Sequence, residues 1–209
     1  MNMMIFQPYP KFSGVENFSI TEWLSMAVFL LIVVAVSIAS GRYTANRFKT
    51  SKVSTVLIFV SVEIVVAILM LCFFGLSARS IAGIIYCLLL LISSYSDIIT
   101  RECDDWISVM ILLAGLINTQ VNEIPYRLVA IIFTAVIILL PTLFKCEGIG
   151  GADIKIACAS AFLMGLCRSL VALVAGLVAA IILNGIRHKK TGFPLLPYFS
   201  VTYMAAYFL

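Results

Sequence analysis

Charge is what this chain has least of. Lys, Arg, Asp and Glu together make up 11% of its 209 residues, while 63% are apolar. A water-soluble domain carries roughly 25% charged residues. The deficit excludes a surface that faces water on all sides and predicts an integral membrane protein. Strand-type alternation is also missing, which argues against a β-barrel. No polar stretch is long enough for a separate soluble domain, so residues 1–209 are expected to form one membrane domain, with 1–21 as a non-cytoplasmic segment. There is one histidine, His188, and none of the six cysteines forms a C-x-x-C pair. A zinc site is therefore not expected. Most cysteines lie in or beside apolar runs, where the thiol packs as a small hydrophobe. No basic face is interleaved with aromatics, so the net charge of +4 does not predict nucleic-acid binding. Residues 1–21 hold one base, Lys11, and the first apolar run leads straight into a basic loop. That pattern reads as a retained anchor rather than a cleaved signal.

What the chain has in abundance is apolar segments of membrane length. Eight are expected, near 22–40, 54–75, 81–97, 106–118, 127–144, 154–167, 169–186 and 194–209. They predict an all-α bundle of about eight membrane helices in a lipid bilayer. The fourth and sixth are short for a full crossing. Alternating crossings sort the bases by side. One side receives Arg42, Arg47, Lys49, Lys52, Arg101, Lys145, Lys155, Arg187, Lys189 and Lys190; the other receives Lys11, Arg79, Arg127 and Arg168. Ten against four assigns the richer side to the cytoplasm. The assignment predicts a protein of the cell inner membrane with both termini outside. It also brings the 97–105 and 145–155 loops to one face.

Each of those loops carries an aspartate at the end of an apolar run. Asp97 follows Ser93-Ser94-Tyr95-Ser96, and Asp153 follows Gly148-Ile149-Gly150-Gly151-Ala152. A carboxylate at the edge of hydrocarbon is costly and usually functional. The glycines permit positive φ and close backbone approach, which suggests a wet pocket at the membrane surface. Two carboxylates within a few Å cannot both ionise cheaply, so their pKa values split. The ionised member can then take a proton from water while the protonated member hydrogen-bonds to a scissile carbonyl. The plainer reading, interfacial acids that cap helices or pair with nearby bases, is equally compatible with the residues alone.

The segment Gly150-Gly151-Ala152-Asp153-Ile154-Lys155 resembles the G-x-G-D-x-K signature of type IV prepilin peptidases, which are membrane aspartyl proteases. Ser94-Tyr95-Ser96-Asp97 resembles the surroundings of their first catalytic aspartate. Phe193-Pro194-Leu195-Leu196-Pro197-Tyr198-Phe199 resembles their closing proline-containing helix. The similarity runs from about residue 54 to the end. There are departures: Ala152 stands where the strict motif has glycine, and Cys103-Asp104 replaces an Ile-Pro pair. The cytoplasmic insertion with two C-x-x-C pairs found in larger members is missing, so the resemblance is to a compact member. It implies an aspartic endopeptidase that removes the basic leader of prepilins or pseudopilins at the cytoplasmic membrane face. Asp97 and Asp153 would be catalytic, Gly150 and Gly151 would shape the turn, and Lys155 would sit at a family position. Proteolysis of this kind needs no cofactor or metal. Many members also methylate the new N-terminus with S-adenosylmethionine, and that activity stays open here.

Other residues carry weaker signals. Glu63, midway along the second apolar segment, either helps hold a substrate helix or makes an interhelical hydrogen bond. Lys155 either lowers a neighbouring carboxylate's pKa or snorkels to the headgroups. Glu102, Asp104, Asp105 and Glu147 are candidates for attracting a basic leader. The rival class is a small ion- or proton-coupled transporter using Asp97, Asp153 and Glu63. Its sites would be expected nearer the membrane midplane.

Overall fold

The computed structural model describes residues 20–117, 119–143, 150–187 and 194–209, the side chains of 141–143 and 184–187 excepted. Lys11, Lys145, Glu147, Gly148, His188, Lys189, Lys190 and Phe193 lie outside the described residues. Eight α-helices follow one another: α1 Ile20–Phe48, α2 Lys52–Phe74, α3 Ala78–Thr100, α4 Asp105–Ile117, α5 Ile124–Leu143, α6 Gly151–Met164, α7 Leu166–Arg187 and α8 Leu196–Tyr207. A 3-10 turn, Val121–Glu123, leads into α5, and the described residues include no strand. The fold is the helical membrane bundle expected from composition. Among the described residues, five helical stretches are long and apolar enough to cross a membrane: α1, α2, α3, the turn with α5, and α7. The remaining three, α4, α6 and α8, have 13, 14 and 12 residues. At ~1.5 Å per residue each reaches only about 18–21 Å, short of a ~30 Å hydrocarbon core.

Contacts at the helix ends fix the direction of every helix. Arg47, at the end of α1, pairs with Asp104 just before α4. Thr55, at the start of α2, is bonded to Tyr95 near the end of α3 at 2.8 Å. At the opposite end of the bundle, Arg127 near the start of α5 donates to Leu163 O, at the end of α6, at 2.6 Å. There too Tyr207, closing α8, donates its hydroxyl to Arg79 O in the first turn of α3 at 2.7 Å. The helices therefore alternate in direction throughout. Asp97 and Asp153 stand at one end of the bundle, while the start of α1 and the end of α8 stand at the other. Between α6 and α7 the reversal takes a single residue. Gly165 adopts φ 85°, a left-handed conformation that disfavours any residue with a Cβ.

Small residues set the helix separations, as membrane packing requires where no hydrophobic force drives helices together. A Cβ added at Gly176 of α7 would stand 2.5 Å from Phe199 Cδ1 and 2.8 Å from Thr202 Oγ1 of α8. One at Gly115 of α4 would stand 3.2 Å from Leu163 Cα of α6. Gly151 has open space at the same position. Accordingly, Gly176→Ala should lower stability by about 1–3 kcal/mol, and Gly151→Ala should change it by no more than about 0.5 kcal/mol. Thermal unfolding in detergent separates the two, and equal melting points for both variants would contradict this packing.

Candidate active site

Asp97 lies in the last turn of α3, half-buried, three residues before that helix ends at Thr100. The backbone reverses at Arg101, which adopts φ 57° and donates its N–H to Asp97 O at 3.1 Å. The Asp97 side chain points the other way, toward α8. Its Oδ2 accepts the backbone N–H of Leu196 at 3.1 Å, and the N–H of Leu195 also reaches the carboxylate. These are amides of the first turn of α8, which have no partner within their own helix. The positive end of the helix dipole lies there as well. Pro197 at the start of α8 needs no acceptor for its own nitrogen, which suits the first turn of a helix. A helix start that lacks acceptors and a carboxylate that lacks donors thus satisfy each other.

Asp153 sits in the first turn of α6 and is 9% exposed. Its carboxylate accepts the backbone N–H of Gly150, the residue that caps the helix, as an acid three positions into a helix commonly does. Gly150 has φ −57°, so it does not use the left-handed freedom expected of it from sequence. What it provides is the missing side chain: a Cβ there would stand 3.1 Å from Asp153 Oδ2. Gly151 contacts nothing that a Cβ would meet. Burial pushes the Asp153 carboxyl up to about 6, with the charge of Asp97 adding to the rise and the Gly150 N–H opposing it. The two acids are thus near enough to feel each other.

Cys103, in the loop between α3 and α4, lies beside both. Burial pushes its thiol up to about 12, with Asp104, Asp97, Asp153 and Asp105 all adding to the rise. Sequence reasoning treated this cysteine only as a departure from a motif. Backbones of α3 and α6 do not pack directly, and the helices that flank both are α4 and α8. Beneath Asp97, Ser94 of α3 and Ser200 of α8 share a hydrogen bond of 2.6 Å.

The neighbouring charges are arranged differently from expectation. Lys155 does not pair with Asp153; its Nζ stands 2.6 Å from Asp105 Oδ1. Arg47 grips both oxygens of Asp104, with Nη2 at 2.6 Å from Oδ1. Asp104 and Asp105 are therefore occupied, while Glu102 and the paired Asp105 are both exposed. Glu63 stands apart from this cluster. It is fully buried in the middle of α2 with Cys87 of α3 as its neighbour.

An all-helical, membrane-embedded bundle with two interacting carboxylates at one end is the class this geometry defines. Residues 84–185, just under half of the chain, match the type IV leader peptidase family. The matched region runs from within α3 to within α7 and contains Asp97, Asp153 and the loops that carry them. It stops before α8, whose amides hold Asp97. No curated protein and no solved structure matches the chain.

The electrostatic link between the acids has a measurable sign. A raised pKa means the neutral acid is favoured, and the Asp97 charge is one source of the rise at Asp153. In Asp97→Asn, Asp153 should therefore titrate at lower pH than in the parent, while staying above an ordinary aspartate because its burial persists. Carbon-detected NMR of labelled aspartate reads this. An unchanged Asp153 midpoint would mean the two groups do not communicate.

Proposed function

We propose that the protein is an aspartic endopeptidase that removes the basic leader of type IV prepilins or pseudopilins at the cytoplasmic face of the inner membrane. Asp97 and Asp153 would share one proton. The observation that carries the reading is that both acids stand at one end of the bundle, interacting, with Asp153 held in a buried helix start. The family match supports a peptidase, and the site supplies the pair that an aspartic mechanism needs. The ionised carboxylate takes a proton from a bound water, whose oxygen attacks the scissile carbonyl carbon. The neutral carboxyl donates a hydrogen bond to the carbonyl oxygen and then its proton as the tetrahedral intermediate forms. Collapse breaks the C–N bond, with a proton passing to the departing amine. The pair titrates as a unit, so the proton belongs to neither acid alone.

The depth of the site suits the substrate. A leader in water joined to a helix in lipid places its scissile bond at the end of the bundle, where Asp97 and Asp153 lie. Because Asp104 and Asp105 already hold Arg47 and Lys155, leader bases would bind by exchanging with those partners or by using Glu102. Proteolysis along this route uses no metal or cofactor, and N-methylation with S-adenosylmethionine is left outside the proposal. The transporter reading is not favoured, because the two aspartates stand at a bundle end and the family is one of peptidases.

Co-expression with an epitope-tagged prepilin tests the assignment. Asp97→Asn and Asp153→Asn should each reduce leader removal by at least about 10²-fold, the size expected for loss of a general acid or base. Efficient processing by either variant removes that residue from the mechanism. Glu63→Gln should retain cleavage, since Glu63 is buried in the middle of α2, apart from the two aspartates. Loss of cleavage in a folded Glu63→Gln protein would assign that group a part in the reaction.

A further inference from the structure

The end of the bundle opposite the aspartates carries a second concentration of charge. Arg79 in the first turn of α3, Arg127 in the first turn of α5 and Arg168 in the first turn of α7 are all half-buried there. Arg168 lies within electrostatic reach of both other arginines, and Tyr207 lies within reach of all three. Three helices thus bring three guanidinium groups to one end of the bundle: Arg79 lies 5.7 Å from the Tyr207 ring centre, and Arg127 Nη1 stands 3.8 Å from where a Cβ of Gly165 would be, three residues before Arg168. Their local partners are few. Arg79 packs over the Phe74 ring at 4.2 Å and donates to Tyr207 O. Arg127 pairs with Glu123 at 3.0 Å and donates to the closing carbonyls of α6. Arg168 has no carboxylate or hydrogen-bond acceptor among the described residues. Of the three, only Arg127 is paired with a carboxylate among the described residues.

Topology does not account for them. The orientation rule depletes bases from this end, yet the three assigned here that the structure describes converge instead of scattering. Like charges brought together without water repel one another unless an anion joins them. Guanidinium forks match phosphate oxygens in geometry and form charge-assisted hydrogen bonds with them. Depth indicates which phosphate. Arg79 and Arg168 stand at the ends of membrane-length helices, the level of lipid headgroups. Leu76, Val121 and Tyr126 at the same end are exposed and suited to acyl or interfacial contact.

We propose that Arg79, Arg127 and Arg168 form a binding site for the phosphate of an anionic phospholipid on the leaflet opposite the aspartates. Arg168 is its least committed donor, while Arg79 and Arg127 are already anchored by the protein. Occupation would tie α3, α5 and α7 together at that end. The site is separate from the peptidase assignment, and its test does not depend on cleavage.

Native mass spectrometry of the detergent-purified full chain, offered phosphatidylglycerol and phosphatidylcholine at equal concentration, reads the preference. The parent should retain the anionic lipid at least about tenfold over the zwitterionic one, the size expected for charge-assisted phosphate contacts. Arg168→Gln should lose most of that preference, and Arg168→Lys should recover part of it. Thermal unfolding without lipid checks that both variants are folded. In the same assay phosphatidylglycerol should raise the melting point of the parent and not that of Arg168→Gln. Equal retention of the two lipids, or unchanged preference in folded Arg168→Gln, overturns the site. A melting-point rise with a few millimolar inorganic phosphate equal to that with phosphatidylglycerol overturns the lipid assignment.

Discussion

The bond between the Asp97 carboxylate and the opening amides of α8 is the constraint on which the rest of the arrangement depends. A carboxylate at the end of an apolar helix must find donors, because hydrocarbon offers none. The first turn of a helix must find acceptors for the same reason. In this protein the two needs cancel across 99 sequence positions. The bond also fixes where α8 runs. Leu196 is held against Asp97 at one end, and the Tyr207 side chain reaches Arg79 at the other, so α8 runs antiparallel beside α3. Ser94 and Ser200 add a buried hydrogen bond between them. A 12-residue helix too short to cross a bilayer alone is thereby held within the bundle, and its amides face the carboxylate rather than lipid.

Asp153 is secured by a different device with a different consequence. Its partner is the cap of its own helix, so its position depends on a few local residues rather than on the assembly of the bundle. Gly150 matters there because it has no side chain to crowd the carboxylate. Asp97, with donors from another helix, is set by tertiary structure. The approach of the two acids is therefore a meeting of a locally built group with a globally built one. Asp153 also loses water, which favours its neutral form and makes sharing of a proton with Asp97 physically natural.

Much of this could be read in the sequence. Apolar length predicted eight helices, and sorting the bases by crossing brought Asp97 and Asp153 to the same end. That inference needed only the alternation of spans. What sequence did not carry was the donor to Asp97, because a backbone amide has no residue signature; the prolines at 194 and 197 marked a helix start without saying what it faced. The pairing of Arg47 with Asp104 and of Lys155 with Asp105 was also hidden. Those partners lie 57 and 50 positions apart, and nothing local distinguishes a paired surface acid from a free one. Gly150 was read as a residue that permits positive φ and a close backbone approach, whereas its φ is −57° and its missing side chain leaves room for the Asp153 carboxylate. Arg79, Arg127 and Arg168 were legible as the minority of a topological count, but their convergence needed the bundle.

The contrast between the acids and the pairs beside them bears on how a chain could enter the site. Arg47–Asp104 and Lys155–Asp105 include exposed side chains, and pairs of that kind contribute about 0–1 kcal/mol each. They tie the loop between α3 and α4 to α1 and to α6, yet a charged segment could replace either partner at little net cost. Asp97 and Asp153 are held by backbone amides within partly or largely buried surroundings, where losing a donor costs more, about 1–3 kcal/mol. The rim can therefore exchange partners while the acids keep their positions. For the proposed leader substrate this is the useful division: a rim whose charges can be traded for those of an incoming basic chain, over a pair of carboxylates whose separation that trade does not disturb.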